Sequence, residues 1–210
     1  MPTKRAFVIS FEGIEGAGKS TQVRRLSAYL RKSGLRVSVF REPGSSVSGE
    51  QIRRILLHGK GRLTRFSETM LFIAARGQLR FEKIEPNLKR KDIIILDRYG
   101  DATVAYQGYG AGVDLALIKT LNKAAVNGAV PDLTLLLDIE PKAGLMRSGR
   151  GDRFERRKLA FHTRVRKGYL QLARHNPGRI KVIRADQPVN IVQQQIRDIV
   201  YNAYSRRRKK

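Results

Sequence analysis

The chain has 210 residues, enough for one domain to bury a full core without staples, and no cysteine, which excludes a disulfide framework and any Cys-ligated zinc site. Lysine and arginine total 43 against 18 acidic residues, a net charge of +25 of which residues 206–210 supply only five; a surplus spread that widely draws in polyanions, nucleic acid included, non-specifically and salt-dependently, and equally suits a basic surface tuned to its host. No apolar run approaches the roughly 20 residues that cross a bilayer, and residues 1–5 lack the apolar core of a signal peptide, so a soluble, cytoplasmic protein is expected.

The first predicted strand, residues 6–11, runs through Gly13-Ile14-Glu15-Gly16-Ala17-Gly18-Lys19-Ser20 into a predicted helix over 20–33. Each residue type in this phosphate-binding loop has its own task. The glycines let successive N–H groups turn inward around a phosphate at a helix N-terminus. Lys19 brings a flexible cation to the β and γ oxygens, and the Ser20 hydroxyl is placed to ligate Mg²⁺. A strand before the motif and a helix after it are the context that separates it from an ordinary glycine turn, and both are present. The loop therefore places a nucleotide triphosphate on the chain, with Gly13, Ile14, Glu15, Gly16, Ala17, Gly18, Lys19, Ser20 and Thr21 around its phosphates.

The second strand, 37–40, ends in Arg41-Glu42-Pro43-Gly44. Arginine before a Pro-Gly turn offers a fixed fork for a phosphate, with a cis bond before Pro43; an ordinary type II turn with a solvated arginine fits as well. Helical patterns follow at 48–58 and 67–90. In the latter, Phe72 and Arg76 share a face, where a ring and a guanidinium stack on and hydrogen-bond a base, or serve as a core Phe beside a surface Arg. The third strand, 93–96, leads into Asp97-Arg98-Tyr99. A carboxylate at that strand end is placed to hold Mg²⁺ or its waters, and the adjacent arginine to grip a second anion.

A helix over 113–127, a strand over 133–137 and a short helix over 141–146 come next. From Arg147 to Lys167 there are nine basic residues against two acids, opening with Arg147-Ser148-Gly149-Arg150-Gly151-Asp152-Arg153-Phe154-Glu155. This reads as a mobile basic lid at about 147–155 or as a solvated face of the helix expected over 153–175, whose buried stripe is Phe154, Phe161, Val165, Tyr169 and Leu172. A strand over 180–183 and a helix over 188–204 complete the pattern. His58, His162 and His175 lack ligand-like spacing and receive no chemistry. The strands are short continuous apolar runs, as in parallel sheets buried on both faces. The expected fold is α/β, a doubly wound parallel five-stranded sheet flanked by helices, in one domain over 1–204 with a basic tail at 205–210.

Taken together, F-E-G-I-E-G-A-G-K-S-T from Phe11, R-E-P-G from Arg41, the helix bearing Phe72 and Arg76, D-R-Y from Asp97, A-Y-Q-G from Ala105, P-D-L-T-L-L-L-D from Pro131, R-G-D-R-F-E from Arg150 and R-V-R-K-G-Y-L from Arg164 resemble the thymidylate kinases over nearly the whole chain. The resemblance implies a P-loop nucleoside monophosphate kinase-like fold and transfer of the ATP γ-phosphoryl group to dTMP, giving dTDP on the way to dTTP. It implies that Lys19 and the loop amides hold the ATP phosphates, that Ser20 and Asp97 serve Mg²⁺, and that Arg41 and Arg98 bind the acceptor phosphate. Phe72 would stack on thymine, Arg76 face its O4, Thr103 read the base edge, Tyr106 pack under the deoxyribose, and Gln107 line the same pocket. Glu15 would approach the acceptor's sugar or phosphate.

Gly16 stands where one branch of the family places arginine. The chain is similar to the bacterial branch, which brings arginine from the lid, so Arg147, Arg150 and Arg153 are the candidates and Glu155 matches the lid acid. A homodimer is implied as well. Departures are Ala102 where serine is usual, Ser45-Ser46 for the common Gly-Thr, Arg184 where Asp is common, and the basicity itself. A nucleoside monophosphate kinase of broader specificity and a nucleic-acid-associated P-loop ATPase are the competing readings.

Overall fold

The computed structural model describes residues 5–149 and 151–208. Among them five strands form one parallel sheet: β1 (Phe7–Glu12), β2 (Val37–Arg41), β3 (Ile93–Asp97), β4 (Leu133–Asp138) and β5 (Ile180–Arg184), in spatial order β2-β3-β1-β4-β5. Each lies within one residue of its expected run. The helices are α1 (Lys19–Lys32), α2 (Val47–His58), α3 (Arg65–Leu79), α4 (Glu85–Leu88), α5 (Gly100–Thr103), α6 (Leu115–Val126), α7 (Pro141–Ser148), α8 (Leu159–His175) and α9 (Val189–Arg208).

The continuous apolar strands make sense once both faces are covered. Phe7, Ile9 and Phe11 of β1 join Ile93 and Ile95 of β3 in one core, beneath α1, α8 and α9. Val8, Ile94 and Leu96 point the other way, to a second core with Leu79 and Val126. A fully buried side chain of this size stabilises the fold by roughly 1.5–3 kcal/mol, so neither face spares an apolar position and no alternation shows in the sequence. On the second face Ser10 and Thr134, adjacent in the β1–β4 register, share a hydrogen bond of 2.7 Å.

Three elements differ from expectation. The segment after Tyr99 is helical: α5 passes into a π-helical run, Val104–Gly110, that no periodicity announced. It is held by close packing on α8, where a Cβ on Gly168 would meet the Tyr109 ring at 2.7 Å. The long helix expected from residue 153 begins only at Leu159, because the Asp152 side chain accepts from the amides of Phe154 (2.8 Å) and Glu155 (2.9 Å) and stabilises a turn instead. At the other end α9 continues to Arg208, so residues 205–208, expected as a tail, are helical; Arg207 donates to Asp132 and to the Ala6 carbonyl.

The chain steps from β1 past β3 to β2 and later crosses β1 to reach β4, so the connections after β1 and β3 diverge. A crevice opens there beyond the carboxyl ends of both strands, which is where doubly wound sheets bind ligands.

Candidate active site

The loop after β1 enters this crevice and delivers α1 with an open N-terminus. Gly18 caps α1 without any side-chain hydrogen bond, and the first turn holds no acid. By contrast α2 and α6 close theirs with Ser46 and Asp114. The free amides and the positive end of α1 are thus available to an anion. Gly16 packs closely on α7: at φ +68°, a Cβ there would sit 1.9 Å from the Gly144 carbonyl oxygen. The arginine of the other family branch has no room at this position. Lys19 is buried and its Nζ donates to the carbonyls of Gly13 (3.0 Å) and Ile14 (2.8 Å). Burial, with Arg98 nearby, lowers its ammonium to about 8.

Where β3 ends, Asp97 Oδ2 accepts a hydrogen bond from Ser20 Oγ at 2.7 Å, which brings the two expected metal-side oxygens together. A hydroxyl and a carboxylate are hard oxygen donors, and their juxtaposition beside the open end of α1 fits Mg²⁺. The next residue, Arg98, adopts φ +68°, and its guanidinium donates to the Gly13 carbonyl at 2.9 Å and to Glu15 at 3.3 Å, 4.9 Å from the Tyr106 ring centroid. Glu15 also accepts from the Tyr106 hydroxyl at 2.6 Å. Burial opposes its ionisation, yet His162, Arg98, Lys19 and Tyr106 hold its carboxyl at about 2. Glu12 behind them goes the other way: burial, reinforced by Asp101, pushes it up to about 8.

A cavity of about 320 Å³ extends from the loop between α2, α3 and the π-helical run, lined by Phe72, Arg76, Thr103, Tyr106 and Gln107 together with Arg41 and Arg98. Glu15 lines it too, so all eight expected acceptor-side residues meet in one place. Arg76 is fully buried there: its Nε donates to Glu42 at 3.0 Å, its Nη2 to Thr103 at 2.7 Å and again to Glu42, and its Nη1 to Asn122. Burial pushes the Glu42 carboxyl up while Arg76 pulls it down. The Glu42–Pro43 bond is cis. Ser45, where the family commonly has glycine, takes φ +62°, and the residue is tied down by its hydroxyl accepting from the Arg41 amide (2.8 Å) and its own amide donating to Glu50 (2.8 Å). Arg41 is half exposed and paired with Glu50 at 2.9 Å. Ala102 lines the cavity.

The expected lid divides. Arg147 belongs to α7 and donates to the Ala185 carbonyl at 3.0 Å, away from the cavity. Arg150 lies outside the described residues. Arg153 docks on the end of α2, donating to the carbonyls of Leu56 (3.1 Å) and Gly61 (3.2 Å). Glu155 closes its own turn by accepting from the amides of Gly151 and Asp152 and also lines the cavity. Phe154 faces the cavity, edge-on to Phe72 at 5.7 Å and to Tyr106 at 6.1 Å. Arg184 pairs with Asp186 at 3.0 Å on the surface.

Two site residues escaped the sequence. Arg53 on α2 lines the cavity and donates to the Pro43 carbonyl at 3.0 Å; it sits in a helix with a second arginine beside it, and nothing local marks it. His162 is wholly buried, with Nδ1 3.2 Å from Glu15 Oε2 but without the alignment of a hydrogen bond. Its place among the apolar residues of α8 was the only signal.

Comparison with known proteins agrees with this geometry. The family model described as thymidylate kinase matches residues 11–196. The thymidylate kinase of Syntrophotalea carbinolica is 48% identical over 191 residues, covering 86% of this chain and 88% of that protein. That of Desulfovibrio desulfuricans is 44% identical over 211 residues, covering 95% and 97%. The crystal structure of thymidylate kinase from Ehrlichia chaffeensis superposes with a TM-score of 0.78 at 34% identity, covering 94% of this chain and 99% of that one. With an open phosphate-binding loop facing this cavity, and with these matches over most of its length, the chain belongs to the thymidylate kinase family.

Proposed function

We propose that the cavity seats dTMP against ATP held on the loop, so that the chain performs the family's reaction: the γ-phosphoryl group passes to the 5′-phosphate of dTMP, giving dTDP and ADP. The observation that carries this is Arg98, whose one guanidinium reaches the loop carbonyl of Gly13 and the cavity-side Glu15, so that donor and acceptor phosphates meet at a shared cation.

An acceptor phosphate oxygen forms the new bond to the γ-phosphorus while the bond to the β–γ bridging oxygen breaks. The nucleophile is already ionised, so no general base is required, and the protein's part is alignment and charge. Lys19 and the loop amides take the donor phosphates. Arg98, Arg41 and Arg53 take the acceptor phosphate, with Arg41 exchanging its Glu50 partner for it. Phe72 and Tyr106 hold base and sugar, while Arg76, Thr103 and Gln107 read the base edge. Ser20 and Asp97 would hold Mg²⁺, which would supply neutralisation of the phosphate charge. Arg150 and Arg153 complete the charge when the segment closes, which requires Arg153 to leave the α2 carbonyls.

The chain works as a homodimer in this reading. Phe66, Met70 and Phe81 form an exposed apolar stripe along α3 and the π-helical segment Arg80–Ile84 that continues it, with Gly77 between them, a surface suited to a second copy of itself. No helix among the described residues is long and apolar enough to cross a membrane, and a cytoplasmic enzyme fits the substrates. A nucleic-acid-stimulated ATPase leaves the acceptor cavity without a purpose.

The test is coupled steady-state phosphorylation at moderate salt with ATP and Mg²⁺ fixed and dTMP, dUMP, ribo-TMP, dGMP and dCMP as acceptors. A kcat/KM for dTMP well above the others is expected. Comparable rates on several acceptors would show a relaxed kinase, and transfer to none would overturn the reading.

A further inference from the structure

Glu68, in the first turn of α3, is 4% exposed and has no part in the roles above. Its two carboxylate oxygens hold two different parts of the cavity. Oε1 accepts from Gln107 Nε2 at 3.0 Å, and Oε2 accepts from Arg157 Nη2 at 2.6 Å. The Arg157 guanidinium in turn lies 4.8 Å from the ring centroid of Phe154, the aromatic wall of the cavity, and 4.5 Å from that of Phe161.

The chemistry of this arrangement is directional. A carboxylate paired with arginine only accepts, so the end of the Gln107 amide turned toward it is the NH₂ group. The amide oxygen is then the end left for the cavity that Gln107 lines. Gln107 is 1% exposed and sits in the π-helical run, so rotating the amide would set its oxygen against the carboxylate, two acceptors facing each other in a buried site.

We infer that Glu68 is a positioning residue for base selection: it locks the Gln107 amide with its oxygen toward the base, so that the site takes a pyrimidine carrying N–H at N3 and rejects one whose N3 is a bare acceptor. Through Arg157 the same carboxylate ties that orientation to the Phe154 wall. The inference rests on the cavity being the dTMP pocket.

The experiment compares kcat/KM for dTMP, dUMP and 5-methyl-dCMP, the last changing only the N3 and C4 hydrogen-bonding edge. In Glu68→Gln, whose amide donates as well as accepts, Gln107 is free to turn, and the ratio of dTMP to 5-methyl-dCMP should fall about tenfold while the ratio of dTMP to dUMP, both N3–H bases, stays unchanged. Glu68→Asp, a milder change that keeps an acceptor at slightly shorter reach, should lower the first ratio about threefold and stands as an independent test if the glutamine variant does not fold. Arg157→Gln, whose amide can still donate to Glu68 and keep it an acceptor, should raise KM for dTMP and leave both ratios as in wild type. Folded Glu68 variants that lose rate on dTMP and 5-methyl-dCMP by the same factor would overturn the inference, as would an unchanged KM in Arg157→Gln for the tie to the wall. Wild-type protein without preference for dTMP over 5-methyl-dCMP would instead sink the reading of the pocket itself.

Discussion

The phosphate-binding loop and the Phe72-lined cavity share Arg98 but are held in place by different means. The loop is one short segment shaped by its own backbone: Lys19 bonds carbonyls five and six residues back, and the open end of α1 follows directly. The cavity is assembled from side chains far apart in sequence, Arg76 on Glu42 at a separation of 34 and Arg157 on Glu68 at 89. A loop built from backbone curvature fails where a side chain or a charge is changed at a few positions. A cavity built from buried pairs fails where one partner is removed and the other is left uncompensated.

Arg76→Ala should break the cavity hardest. It leaves Glu42 buried without its cation, and urea unfolding should register a loss of about 3–5 kcal/mol. An intact midpoint would mean that the pair contributes little to holding α3 against the turn after β2. On the loop side, Lys19→Ala should leave stability nearly unchanged and lower kcat about 10²–10³-fold. The same lysine predicts a pH profile. In its proposed role the protonated form binds phosphate, and its folded value is depressed to about 8, so kcat/KM for ATP should decline as pH rises through that value and hold below it. A flat profile to pH 9.5 would contradict it.

Gly16→Ala tests whether the loop is limited by space. The left-handed φ and the Gly144 carbonyl at 1.9 Å from the new Cβ together should cost roughly 2–3 kcal/mol, read from thermal unfolding, with loss of ATP binding. Ala102→Ser is the smallest change. Restoring the hydroxyl usual in the family to the cavity wall should lower KM for dTMP by no more than about fivefold, the worth of one hydrogen bond, without moving the midpoint. A larger gain would make position 102 a determinant of acceptor binding.

The strands, the loop and the Ser20–Asp97 pairing were legible because each rests on a run of adjacent residues or on a strand end, and a parallel sheet brings strand ends to one edge. The helical character of residues 100–110 was not, since glycine and tyrosine there follow no period and the segment is stabilised by contact with α8. The lid was only half legible: its basic charge is plain, but whether Arg153 meets a phosphate or the α2 carbonyls depends on the placement of a different helix. Arg53, Glu68 and Arg157 gave no local sign and His162 only its apolar surroundings, because each acts through a partner at least 10 residues away and up to 147.

By itself the sequence determined the fold class, the nucleotide-binding loop and, through the set of motifs it carries, the family. Backbone curvature, strand burial and helix N-termini are set by neighbours in the chain, so a few consecutive residues suffice to specify them. The tertiary structure alone decided which charges are paired: that Arg76 is locked to Glu42, that Glu15 sits against Arg98, Tyr106 and His162, and that one carboxylate joins Gln107 to Arg157. Burying a charge is costly without a counter-charge at hydrogen-bonding distance, and that distance exists only once the elements carrying the two groups have packed.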